Sequence, residues 1–161
     1  VALAAYLYGQ SLIRKVAAVL LLLGAIALAI PTTNTSDPTT SSRALADGQI
    51  AWSAAALDDH LNRGDPIFVD VTADWCITCL ANEAAVLFTT EVEQAFISAD
   101  ISYMIADWTD YDADIGAFVK SHGRSGIPLY VMYPRGKGSE PIILPQLLTR
   151  DIVLSAIENA R

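Results

Sequence analysis

The stretch Ile67-Phe68-Val69-Asp70-Val71-Thr72-Ala73-Asp74-Trp75-Cys76-Ile77-Thr78-Cys79, IFVDVTADWCITC, decides how the rest of the chain is read. Its first six residues are apolar or β-branched apart from one acid, Asp70, which predicts a buried central strand. The only two cysteines follow at once. From Ile77 the spacing of Leu80, Ala84, Leu87 and Phe88 predicts a helix running to about Phe96. Cys76 therefore stands where a buried strand gives way to a helix, and Cys79 stands one turn inside that helix.

Working outward, Ile50-Ala51-Trp52 reads as a short strand, and Ser53 as the cap of a helix to about Asn62. Arg63-Gly64-Asp65-Pro66 stops that helix before the central strand. Downstream come a strand at Ile101–Ala106, a helix at Ile115–His122 and a strand at Leu129–Tyr133. That strand turns at PRGKG towards an edge strand at Pro141–Leu144, and Thr149 with Asp151 starts a last helix. The order βαβαβαββα predicts an α/β domain over 49–161, with a mixed central sheet flanked by helices.

The N-terminal part is different in kind. Hydrophobic residues make up 53% of the 161-residue chain, and the excess sits in its first thirty residues. Val16–Ile30, VAAVLLLLGAIALAI, is fifteen residues without a charge. A membrane span needs about 20 residues, reached by extending back through Ser11 if Arg14 and Lys15 snorkel to the headgroups. A secretory signal peptide and a buried soluble helix compete with that reading of residues 1–30. As a span or a signal, the Arg14-Lys15 pair stays cytoplasmic and everything after Pro31 is exported. Residues 31–48 open with PTTNTSDPTTSS, a Thr/Ser/Pro-rich linker with no large apolar side chain to bury.

The net charge is −8, and Arg14 and Lys15 are the only charges in residues 1–30. The rest holds eight basic and eighteen acidic residues, a balance of −10. Such a domain is a poor binder of phosphate backbones, which excludes nucleic acid as a partner.

Two cysteines at this spacing admit several chemistries. A bridge across so small a loop removes little unfolded-state entropy, so a purely structural disulfide has little to contribute. Zinc would need two more ligands, and His60 and His122 lack the paired spacing of a finger. Covalent haem needs His where this chain has Leu80. Copper(I) suits two thiolates, although Asp74 stands where an upstream methionine would help. A redox couple, needing no metal and no other cofactor, has the support of position. Backbone N–H groups at the helix start stabilise a Cys76 thiolate, and Cys79 is placed to attack a mixed disulfide. Trp75 supplies an aromatic wall beside the nucleophile, or is simply core. Gly126-Ile127-Pro128 precedes a strand, where Pro128 is either an ordinary first residue of the strand or a cis-proline facing the active site.

Strand, Trp-Cys-x-x-Cys, helix and Gly-Ile-Pro before a strand resemble thioredoxin. VDVTADWCITC with Glu83 after it is more specifically similar to the C-terminal periplasmic domain of the DsbD family of transmembrane disulfide reductases. The stretch ADWTDYDADIGAFVKSHGRSGIPLYVMYPRG resembles the ScsB branch of that family. The resemblance covers about Gln49 to Arg161, and residues 1–30 sit where the family has its last transmembrane helix. It implies a thioredoxin-like fold anchored at the bacterial inner membrane with the redox domain in the periplasm. It further implies that Cys76 is the nucleophile, taking electrons from a membrane domain of the same protein and passing them to periplasmic thioredoxin-fold or disulfide-bearing partners. Cys79 matches the resolving cysteine, Asp70 and Glu83 two acids near the thiols, and Pro128 the cis-proline. Trp75, Ile127 and Pro128 would then meet the substrate. Between the cysteines Ile77-Thr78 replaces the Gly-Pro of thioredoxin.

The charges around the motif bear on direction. No basic residue lies between Gly64 and Lys120, while Asp70, Asp74 and Glu83 surround the thiols. Negative neighbours disfavour a thiolate, which makes the dithiol a better electron donor. The expected activity is protein-disulfide reductase. The competing functions are a membrane-anchored thioredoxin serving cytochrome c maturation and a Cu(I)-binding module associated with copper tolerance.

Overall fold

Every residue of Ile67–Thr72 is buried, as expected of a strand with neighbours on both edges and helices on both faces. The computed structural model describes residues 45–161 except Asp47. The membrane reading of residues 1–30 and most of the linker lie outside the described residues. Among the described residues no helix is long and apolar enough to cross a membrane.

Five strands are described: β1 (Gln49–Ala51), β2 (Ile67–Thr72), β3 (Ser102–Asp107), β4 (Leu129–Tyr133) and β5 (Ile142–Ile143). Their order across the sheet is β1-β3-β2-β4-β5. β3 runs parallel to β1 and β2, while β4 is antiparallel to β2 and β5, so the sheet is mixed. Five α-helices flank it: α1 (Ala54–Arg63), α2 (Ile77–Asn82), α3 (Thr90–Ser98), α4 (Ala113–Ser121) and α5 (Arg150–Ala160). Ser53 caps α1 by accepting from the Ala56 N–H at 3.1 Å, and Gly64 ends it in the left-handed conformation that glycine adopts freely.

The period-two alternation of β2 sorts its side chains between two cores. Ile67, Val69 and Val71 join Met104, Val131, Leu57 of α1 and Val119 of α4 in an apolar layer. Phe68 points the other way, into Tyr103, Tyr130, Phe96 of α3 and Ile157 of α5. Asp70 and Thr72 share the Phe68 face by the same alternation, so the one acid of the strand is buried on the side covered by the helices that follow the cysteines.

The single helix expected over Ile77–Phe96 is broken. α2 stops at Asn82, a π-helical turn occupies Glu83–Leu87, and α3 restarts at Thr90. The Phe88 N–H reaches back five residues to the Glu83 carbonyl at 2.9 Å. The Thr89 hydroxyl then bonds the Val86 carbonyl at 2.7 Å, with the Thr89 backbone extended. Buried side-chain bonds from Asn82 and Glu83 hold the break where apolar periodicity alone continues through it. Other boundaries fall within one or two residues of expectation, and Asp112 caps α4 by accepting from the Asp114 and Ile115 N–H groups.

Candidate active site

At the end of β2 the chain turns through Ala73, whose carbonyl accepts the Cys76 N–H at 3.0 Å. Cys76 occupies the N-cap of α2, and its sulfur accepts from the Cys79 N–H at 3.3 Å. The two sulfurs are joined in a disulfide of 2.04 Å. Cys76 retains 7% exposure and Cys79 none, so an incoming sulfur reaches Cys76 first. Helical geometry puts residues three apart on one face, which is why two intervening residues suffice.

Ile127 packs on Ala73 and both cysteines. The Ile127–Pro128 peptide is cis, so Pro128 is the cis-proline and not an ordinary strand residue. Trp75 is 45% exposed and belongs to no core. Its indole N–H donates to the Thr109 carbonyl at 3.0 Å, and its ring stacks on Tyr111 with centroids 5.1 Å apart. The Thr109 hydroxyl also accepts the Asp74 N–H at 3.0 Å and donates to the Asp107 carboxylate. The loop between β3 and α4 thus brackets the approach to the nucleophile. Tyr111 adopts a positive φ of 57°, uncommon for a large side chain.

The strand before the disulfide and the helix after it carry a buried polar layer. Asp70 accepts from the Tyr103 hydroxyl at 2.7 Å, and both groups are buried. Glu83 is 3% exposed and accepts from the Thr72 hydroxyl at 2.6 Å. Glu83 is therefore not an exposed residue of the helix surface. Asn82 donates to the Tyr130 hydroxyl at 3.0 Å and to the Gln146 carbonyl at 2.7 Å, and accepts the Leu148 N–H at 3.2 Å. Burial, with the Asp70 charge beside it, pushes the Tyr103 phenol well above its ordinary range. Burial and the same carboxylate push Tyr130 up, against the hydrogen bond from Asn82. Both phenols therefore stay neutral hydrogen-bonding groups at physiological pH.

The sequence-selected residues divide accordingly. Cys76, Cys79, Trp75, Ile127 and Pro128 line the disulfide and its approach, while Asp70 and Glu83 lie in the buried layer. Asp74 is exposed beside Trp75. Sequence reading missed Thr72, Asn82, Tyr103, Tyr130, Thr109 and Tyr111. Thr72 had a signal, being two residues from Asp70 on the same strand face. The tyrosines had none, because strand register decides whether they meet the acid. Among the described residues no group of three or more His, Cys, Asp or Glu gathers in a way that could hold a metal ion.

A disulfide at a strand-to-helix turn, its Cys76 end the less buried, with a cis-proline loop against it, defines a thiol–disulfide redox domain. A family model described as thioredoxin-like matches residues 49–134, and the chain belongs to that family. Among solved structures it is similar to the reduced C-terminal domain of Neisseria meningitidis DsbD, with 24% identity and a TM-score of 0.55. That match covers 70% of this chain and 100% of that one. A thioredoxin from Thermus thermophilus matches with 17% identity and a TM-score of 0.54, over 69% of this chain and 85% of that one. A mutant thioredoxin from Halobacterium salinarum matches with 24% identity and a TM-score of 0.52, over 74% and 97% respectively. These likenesses are of fold. No curated protein matches the chain in sequence.

Proposed function

We propose that this domain is a protein-disulfide reductase in an electron relay, with Cys76 as nucleophile and Cys79 as resolving cysteine. The carrying observation is the setting of the Cys76–Cys79 pair, with Cys76 at an N-cap, buried carboxylates on the adjoining strand and helix, and no base from Asp65 through Val119. In the reducing direction the Cys76 thiolate attacks a partner disulfide, forming a mixed disulfide and releasing one partner thiolate. Cys79 then attacks the Cys76 sulfur, closing the intramolecular disulfide and releasing the second partner thiolate. Two electrons leave the dithiol, and the protons of the two cysteines end on the partner's thiols. Asp70, held by Tyr103 on the strand face behind α2, accepts the Cys79 proton as that attack develops. Trp75, Ile127 and Pro128 form the surface against which the partner strand aligns.

Carboxylates near the thiols penalise the thiolate and raise the donor power of the dithiol. That supports the reducing direction. The relay reading adds that electrons come from a membrane domain of the same protein, at the inner membrane, and leave to disulfide-bearing partners in the periplasm. It is supported by the apolar run before Pro31 and by the resemblance of Val69–Cys79 to the DsbD family's C-terminal domain. Equilibration in glutathione buffers measures the direction: a couple near −270 mV, in the range of thioredoxin, is expected, and one near −120 mV refutes a reductase. A Cys79→Ser variant should hold its partner on Cys76 as a mixed disulfide, and labelling of Cys76 by a membrane-impermeant maleimide in intact spheroplasts reads the compartment.

A further inference from the structure

The surface around Cys76 has a composition that the redox chemistry alone does not require. Ile77 is 82% exposed, Tyr111 64%, Trp75 45% and Leu80 37%. Trp75 and Tyr111 stack with their planes 13° apart, so the residue next to the nucleophile is backed by a second aromatic ring. Ile77 follows Cys76 directly, and Leu80 stands one helical turn beyond Ile77. These residues put exposed apolar surface on both sides of Cys76 in the turn and helix that carry it.

The rim of the patch carries one sign of charge. Asp74 adjoins Trp75, Asp112 adjoins Tyr111, and Asp114 lies in the first turn of α4; all three are exposed. The ion pairs Arg63–Asp65, Arg135–Asp100 and Arg150–Glu91 involve none of them. Asp65 through Val119, which supplies β2, α2 and the bracket loop, contains no Lys, Arg or His. Along the chain the bases nearest the disulfide are Arg63 before that run and Lys120 after it, and Arg124 lies in the loop before Ile127. An apolar centre excludes water from the reacting sulfurs, while negative charge at the edge, outside those three ion pairs, acts on the approach of a partner before contact.

We infer that this patch docks proteins whose target disulfide is flanked by basic residues, the acidic rim selecting them over acidic partners. The inference rests on the thiol–disulfide reading and adds the charge of the partner to it. The step is the two-electron exchange described above, with the Cys76–Cys79 dithiol as reductant and the partner disulfide as oxidant.

The test uses the full chain, reduced with dithiothreitol and freed of it. It reacts in single turnover with disulfide-bridged peptides identical except for Lys, Gln or Glu on either side of the bridge. Each rate is divided by that of dithiothreitol with the same peptide, which removes differences in intrinsic disulfide reactivity. At about 0.02 M ionic strength the Lys peptide should react at least ~10-fold faster than the Glu peptide, the two converging towards ~0.5 M as screening shortens the reach of the rim. Substituting Asp74→Asn with Asp114→Asn should narrow the gap. Equal normalised rates, or a preference for Glu, overturn the inference while leaving the redox reading intact. No reaction with any of the three overturns the redox reading and this inference with it.

Discussion

Asn82 closes the helix that carries both cysteines, and removing its amide tests how that helix is held. Three hydrogen bonds converge on it: to the Tyr130 hydroxyl, to the Gln146 carbonyl and from the Leu148 N–H. Asn82 is 6% exposed and Leu148 7%, so water does not readily replace what is lost. An Asn82→Ala substitution forfeits all three bonds, at about 1 kcal/mol each, for a total of about 3 kcal/mol. For a domain of this size that lowers the melting temperature by about 10 °C. Tyr130→Phe removes only one of the three and should cost about 1 kcal/mol. Urea unfolding of the oxidised protein, followed by circular dichroism, gives both values on one scale. If Asn82→Ala costs no more than Tyr130→Phe, the Asn82 amide is not what ties α2 to β4 and to the 146–148 loop.

Two further predictions concern protons and charge. Burial raises the phenols of Tyr103 and Tyr130 and pushes Tyr133 up to about 12, while an unfolded tyrosine ionises near 10. Above pH ~10 the unfolded chain loses these protons and the folded one keeps them, so stability is level below that point and falls as pH rises through it. Urea midpoints between pH 8 and 11.5 should show the fall, shallower in Tyr103→Phe; an identical slope in the variant would exclude Tyr103 as a source. Glu83→Gln keeps an acceptor for Thr72 but removes a buried charge, so the Cys76 thiolate fraction at pH 7 should rise and the couple should become more oxidising. Asp70→Asn should in addition flatten the pH profile of disulfide formation. Thiolate absorbance at 240 nm and stopped-flow kinetics read these effects, and unchanged values in both variants remove the acids from the mechanism.

The parts of the fold written in local periodicity were legible from the chain. IFVDVT reads as a buried strand because six consecutive residues obey one pattern, and Ser53 and Thr149 announce their helices by side-chain caps that the structure contains. The cysteine pair was legible for the same reason, since its spacing and its strand-to-helix setting are adjacent in sequence. The break after Asn82 was not, because apolar spacing runs on through Phe96 while the partners that impose the break, Tyr130 and Gln146, come from far along the chain. The hydrogen bond between Asp70 and Tyr103 was hidden likewise. It exists only once β2 and β3 pair with Asp70 opposite Ile105, which leaves Tyr103 two residues away on the same face. The isomer of the Ile127–Pro128 peptide was undecided in the sequence, since either isomer satisfies a proline at the start of a strand.

The alternation of β2 also bears on how the domain can be re-engineered or can drift. On the Ile67, Val69 and Val71 side the buried cluster holds no carboxylate, its one hydroxyl being that of Tyr133, so repacking Val69 against Met104 and Val131 changes melting behaviour without touching the carboxylates. On the Phe68 side the same layer holds Asp70, Tyr103 and Tyr130, and a volume change there moves thermal stability and redox behaviour together. A one-residue slip of this strand would exchange the two faces, setting Asp70 among valines and a valine behind the cysteines. Such a chain would keep its composition and lose its proton acceptor.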